Sequence, residues 1–264
     1  MSNWDELLHQ GREAMETGDF VTAVRHFKQA TEAFPESAEA WFLLGDAREE
    51  NGDIADAIKS YEAGLELDDT DIDSLYALGD LYFEVGRLQP ALATYGRILE
   101  IDEKQADAWI SIGLVHFHQE EGEKAVEAYR KALTLEPESI FALNSMGDAC
   151  YARGENEKAR DYYRRALEVD PEDAQAHFSL GEMYYDTGQL ELAEKEVRES
   201  LRIDPDLTYA YLTLGNLMID SERMGEAMEC FEQFLLRERA PAAEEIREEV
   251  SLLVEGIKAA ESGD

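Results

Sequence analysis

The 264-residue chain is poor in cysteine, proline and basic side chains, and it contains no long uncharged apolar run. Its two cysteines, Cys150 and Cys230, lie far apart in the chain, which excludes the disulfide framework of a small secreted domain. They read as buried thiols of a reducing, cytoplasmic compartment. Six prolines, and no stretch of Val, Ile and Thr alternating at period two, exclude a β-sheet architecture. No window approaches ~18 uncharged apolar residues, so no membrane insertion is expected. The opening MSNWDELLHQ lacks a basic segment followed by an apolar one, so no secretory signal is expected either. Bases are the scarcest class: 24 Lys and Arg stand against 60 Asp and Glu, a net charge of −36. Such a surface repels nucleic-acid phosphate and anionic lipid, and suits a basic partner or a salt-rich cytoplasm.

What the chain does have is a period. AWFLLGD at 40–46 returns as SLYALGD at 74–80, AWISIGL at 108–114, ALNSMGD at 142–148, AHFSLGE at 176–182 and AYLTLGN at 210–216. Gly11, Gly45, Gly79, Gly113, Gly147, Gly181 and Gly215 follow one another at a single fixed interval. Twelve residues after each glycine stands an alanine, from Ala23 to Ala227. Four further on comes a ring or a branched chain: Phe27, Tyr61, Tyr95, Tyr129, Tyr163, Val197, Phe231. A period of about 34 residues means stacked supersecondary units. In 38–71, Trp41, Leu44, Gly45 and Arg48 share one helical face, Gly52 and Asp53 break the helix, and a second helix carries Ala57, Tyr61 and Gly64 on one side. Small residues where the helices face each other let them close. Helices of ~14 residues are marginal alone, so each pair depends on its neighbours.

These columns resemble the tetratricopeptide repeat, with its W-x2-L-G-x2-Y, A-x3-F and closing proline, here Pro35, Pro137, Pro171 and Pro205. The resemblance implies an all-α fold, a right-handed superhelical solenoid of helix–turn–helix repeats. Seven repeats are expected, at 4–37, 38–71, 72–105, 106–139, 140–173, 174–207 and 208–241. The family's Trp column holds Leu7, Trp41, Leu75, Trp109, Leu143, His177 and Tyr211. Departures are confined to loops. The closing proline is absent at Asp69, Glu103 and Arg239, and the turn glycine at Glu120 and Glu222, with Gly122 and Gly225 close by. A C-terminal capping helix is expected over 242–260, with Ile246, Val250, Leu253 and Ile257 on its apolar face, and a frayed tail over 261–264.

Nothing converges on catalysis. His116 and His118 point ~200° apart on a helix and cannot share a metal, and His177 reads as a packed ring. Phosphate loop, nucleophile elbow and CxxC are all missing. The expectation is a non-enzymatic protein without cofactor or metal.

Binding is then the remaining function. The second, fifth, ninth, twelfth and thirteenth residues of each repeat form the first-helix arc that core packing leaves over, 35 positions in all. In tetratricopeptide arrays that arc lines the concave surface. Repeats one to three place Asp5, Glu16, Glu39, Asp46, Glu49, Glu50, Asp73, Asp80 and Glu84 there, opposed by Arg12 alone. Repeats four to seven place Ile110, Leu114, Phe117, Phe141, Tyr151, Phe178, Tyr185, Tyr209, Leu212 and Ile219 there, and Asn144 and Asn216 as amides able to bond a peptide backbone. The Lys and Asn carboxylate clamp of chaperone-binding relatives is absent. The expected partner is a protein or peptide that is basic with apolar anchors. The alternative is a homo-oligomer whose groove receives a neighbour's N-terminal helix through an exposed Trp4.

Overall fold

A computed structural model describes residues 3–262, and its regular elements are fifteen α-helices and a 3-10 turn. The chain divides after Leu135 into two compact units. The first contains four helix pairs: α1 (Asn3–Glu16) with α2 (Phe20–Ala33), α3 (Ala38–Glu50) with α4 (Ile54–Leu67), α5 (Ile72–Glu84) with α6 (Leu88–Ile101), and α7 (Ala106–His118) with α8 (Gly122–Leu135). The second contains three pairs and a final helix: α9 (Ile140–Ala152) with α10 (Asn156–Val169), α11 (Ala174–Asp186) with α12 (Leu190–Ile203), α13 (Thr208–Asp220) with α14 (Met224–Arg237), then the 3-10 turn Pro241–Ala243 and α15 (Glu244–Ser262). Inside each unit the second helix of a pair also packs on the first helix of the next, and α14 packs on α15. This is an all-α array of tandem helix pairs. α15 runs into the stretch expected as a tail, while Gly263 and Asp264 lie outside the described residues.

The repeated glycine explains how a pair closes. A methyl group built on Gly11, Gly45, Gly79, Gly113, Gly147 or Gly215 would stand under 3.0 Å from the aromatic ring that the partner helix presents to it. Phe27, Tyr61, Tyr95, Tyr129, Tyr163 and Phe231 therefore lie directly on bare backbone and are all but fully buried. Gly181 faces the branched Val197 in the same way. Burial of one such ring is worth ~1.5–3 kcal/mol, repeated along the chain.

A second lock sits at the corners. Trp41 donates its indole N–H to the Pro35 carbonyl at 2.9 Å, and the Tyr211 hydroxyl donates to the Pro205 carbonyl at 3.1 Å. His177 places Nε2 3.2 Å from the Pro171 carbonyl and Nδ1 2.6 Å from the Glu196 carboxylate. It is a packed ring with a structural partner on each side.

The turns correct one detail. Helices within a pair are joined by three residues, the middle one left-handed: Gly18, Gly52, Gly86, Gly154 and Gly188. Where that glycine is missing, the nearby Gly122 and Gly225 do not replace it, because both are already helical. Glu120 and Glu222 themselves adopt φ of 59°. They keep the same closing bonds, Glu120 N–H to the Phe117 carbonyl at 2.9 Å and Glu121 N–H to the His116 carbonyl at 2.9 Å. A side chain in this conformation carries a steric penalty that glycine lacks. Glu120→Gly and Glu222→Gly should each raise stability by roughly 0.5–1 kcal/mol, read as a higher urea midpoint. An unchanged or lower midpoint in both would show that the turn stores no strain.

Candidate partner-binding face

Within each unit a first helix packs on its own second helix and, where one precedes it there, on the preceding second helix, and within the second unit first helices also touch each other, α9 on α11 and α11 on α13. In the second unit such contact falls on part of the arc expected to be free, and burial of the arc is not confined to that unit. Ile110, Phe178 and Asn144, all at the fifth position of their repeats, are 2%, 7% and 7% exposed. Ile110 and Phe178 are core residues rather than partner contacts. Asn144 donates its Nδ2 at 2.5 Å to Asp173, the residue that caps α11, and so ties first helix to first helix. The fifth position looked free because a single helical wheel shows only a helix's own pair.

The rest of the arc stays open to different degrees. Phe141 is 57% exposed, Tyr209 46% and Phe117 36%. Leu114, Leu212, Asn216 and Ile219 are half-buried. Tyr151 and Tyr185 are half-buried too, with their hydroxyls donating to Asp186 and to Asp220 one repeat on, the latter at 2.8 Å. Their hydroxyl tips are thus held by the next repeat. Tyr209 rests edge-on against Phe234, centroids 5.8 Å apart. Trp4 is not the free plug that the oligomer reading requires: it is half-buried, edge-on to Phe34 at 4.8 Å.

The acids also divide. Glu16, Glu50, Asp73, Asp80 and Glu84 are exposed, whereas Asp46 and Glu49 are half-buried. Arg12, the arc's one base, is held by Glu39 at 2.7 Å. In the first unit most of the exposed acids belong to repeats one to three, with Asp107 in repeat four, and the one exposed apolar side chain of the arc is Phe117 of repeat four, while Met15, Phe42, Tyr76, Phe83 and Leu114 are half-buried. In the second unit the face mixes aromatic side chains, Phe141, Tyr151, Tyr185 and Tyr209, with the exposed acids Glu182, Asp186 and Asp220.

Among the described residues no group of three His, Cys, Asp or Glu could hold a metal ion, and no helix is long and apolar enough to cross a membrane. Neither cysteine is in a disulfide. Burial pushes the Cys230 thiol up to about 11, so it is not a thiolate at neutral pH.

The model of the cilia and flagella-associated protein 70 C-terminal domain matches residues 4–253. The chain belongs to this family of tetratricopeptide-repeat (TPR) domains. A TPR protein from Parabacteroides merdae ATCC 43184 superposes with a TM-score of 0.83 at 19% identity, over 96% of this chain and 99% of that one. The MamA protein matches at 31% identity and a TM-score of 0.60, over 66% of this chain and 94% of its own. YrrB, described as a TPR protein with an unusual peptide-binding site, matches at 22% identity and a TM-score of 0.53, over 70% of this chain and 95% of its own. No curated protein matches at a significant level. TPR domains are generally non-catalytic interaction modules.

The repeat columns of this TPR chain do not by themselves reveal a tie between core and face. The buried tyrosine that rests on the glycine sends its hydroxyl through to the arc, where the residue after the glycine accepts it. Tyr61 donates to Asp46 at 2.6 Å and to Glu49 at 2.9 Å, Tyr95 to Asp80 at 2.6 Å, and Tyr163 to Asp148 at 2.7 Å. The sequence signal was a Gly-Asp pair standing at a fixed distance before a tyrosine. Asp46 and Asp80 are thus tied to the core as well as facing outward. Burial raises the carboxyls of Asp46, Glu49 and Asp148 above their ordinary range, and the tyrosine hydroxyls only partly offset it.

A carboxyl raised on folding binds its proton more tightly in the native state, so stability attributable to it is greatest at low pH and is lost as pH rises through the folded value. Asp148→Asn keeps an acceptor for Tyr163 and removes the buried charge. At pH 7 it should be more stable than wild type by on the order of 1 kcal/mol. That advantage should shrink as pH falls through the raised value and vanish below the ordinary 3.8. Urea unfolding at several pH values measures it, and a pH-independent difference would contradict the assignment.

Proposed function

We propose that this TPR chain is a non-enzymatic cytoplasmic scaffold that binds a basic segment with apolar anchors on the open face of its first helices. The carrying observation is the exposure of Phe117, Phe141 and Tyr209 on a face that core packing does not cover. Exposed apolar surface of this kind usually marks a binding site. The acids of repeats one to three supply the preference for a basic partner, acting mainly on association rate and orientation, while the aromatic side chains carry the binding energy. The peptide-binding site of YrrB, a TPR protein of similar fold, supports a peptide as guest.

A random peptide display library panned against the full chain tests this reading. Selected peptides should combine Lys or Arg with aromatic or aliphatic residues. Their affinity should fall at least tenfold between about 0.05 M and about 0.5 M salt as the Debye length contracts. Phe117→Ala or Phe141→Ala should cost ~1–3 kcal/mol, according to which unit the peptide engages. Acidic consensus sequences, salt-independent affinity, or wild-type binding by the double variant would each overturn the proposal.

A further inference from the structure

Within the second unit the exposed apolar side chains of the first-helix arc are Phe141 on α9 and Tyr209 on α13, at 57% and 46% accessibility. Tyr151, Tyr185, Leu212 and Ile219 of the same arc are half-buried. The carboxylates of Glu182, Asp186 and Asp220 are exposed among them, and no Lys or Arg belongs to the arc in this unit. A guest that complements this face is apolar and basic, and the hydrogen bonds of the wall decide the shape of its backbone.

An extended segment laid on a protein surface brings its own N–H and C=O groups. The wall must supply partners for those it covers, or they are buried at a cost. Acceptors are plentiful on this face, but most of its donors are already engaged. Tyr151 donates to Asp186, Tyr185 to Asp220 at 2.8 Å and Asn144 to Asp173 at 2.5 Å. Thr213 donates to Glu182 at 3.4 Å, and Gln175 to Ser179 at 3.3 Å. The first four of these bonds run from one first helix to the next or to its cap, so they hold the wall together. Among the described residues of the arc in this unit, Tyr209 and Asn216 are the side-chain donors left for a guest. The carbonyls of a strand would otherwise meet rings and carboxylates, neither of which donates. A helix bonds its own N–H and C=O groups and offers the wall side chains alone.

We infer that the second unit receives an amphipathic α-helix of a partner protein. Its apolar stripe lies on Phe141 and Tyr209, and its flanking Lys and Arg meet Glu182, Asp186 and Asp220. The inference rests on the basic-partner reading above and narrows it to a helical guest. The tyrosine tips are fixed by the next repeat before any guest arrives, so ordering the wall costs little on binding. A second copy of this chain does not match the face, because with a net charge of −36 it brings like charge to it.

The probes are a pair of synthetic peptides of equal length and equal Lys, Leu, Phe and Ala composition. One sets its apolar residues at helical period, and the other alternates them at period two. Each carries a fluorescent label and is titrated with the full chain by anisotropy, while circular dichroism reads the helicity gained on mixing. The helical peptide should bind at least about tenfold tighter than its alternating isomer and gain helicity as it binds. A proline at its centre should weaken it by at least about tenfold. Phe141→Ala/Tyr209→Ala should weaken it by at least about tenfold too. Phe141→Ala alone gives the same direction should the loss of the Tyr209 contact with Phe234 disturb the double variant. Equal affinity of the two isomers, indifference to the proline, or unchanged affinity in these variants would overturn the helical guest. A homodimer of the chain that Phe141→Ala breaks up would seat a second copy on the face and overturn it as well. Should the alternating isomer alone bind, with salt sensitivity, the basic and apolar reading stands and the helix is wrong. Should neither isomer bind, the helix is wrong, and the wider reading falls with it only when the display library also returns nothing basic and apolar.

Discussion

A ring resting on bare backbone is the contact on which the rest of this molecule depends. Each glycine removes a side chain where first and second helix meet, and a ring on the second helix, or Val197 opposite Gly181, fills the space so made. Such a contact is short-range and satisfies both helices at once. Helices this short, which would be marginal in isolation, become a stable pair. Because every pair closes the same way, the second helix presents the same outer side each time, and the next first helix can seat on it.

That constraint also decides which residues are left for function. A first helix uses one side against its own partner and another against the preceding pair. In the second unit first helices touch one another as well, and Asn144, at a fifth position, is tied to the cap of the next first helix. What remains is narrower than one wheel predicts. It consists of the second position, where Glu39, Asp73, Phe141 and Tyr209 are exposed, the thirteenth, where Glu50 and Glu84 are exposed, and the ninth and twelfth in part. The tyrosine hydroxyls cross from core to this face and hold Asp46, Asp80 and Asp148 in fixed orientations. Core and open face are therefore coupled by these hydrogen bonds in three of the repeats. The acidity of the face is ordered in place, not simply solvated.

The pairing of helices was legible in the sequence because it depends on residues a fixed distance apart: Gly45 and Tyr61 declare each other, and the same spacing returns in every repeat. Exposure of Phe117 and Phe141 was legible for the same reason, since no partner recurs opposite them. Burial of Ile110, Phe178 and Asn144 was not: a wheel drawn for one pair omits contacts between repeats such as that of Asn144, where the residues share no local pattern. The same holds for Asn144 with Asp173, 29 residues apart, and for Tyr151 with Asp186, 35 apart. Left-handed backbone at Glu120 could not be read either: the closing bonds of the turn impose it against the residue's own preference.

The most direct test of the glycine-and-ring contact is a double-mutant cycle on Gly215 and Phe231, where the ring has no hydroxyl to complicate the result. Gly215→Ala should destabilise wild type by ~1–3 kcal/mol through overpacking, yet cost little or nothing once Phe231→Ala has vacated the space. The coupling energy from urea unfolding should then exceed about 1 kcal/mol. Additive effects of the two substitutions would show that ring and backbone do not bear on each other, and the account of how these pairs close would fail.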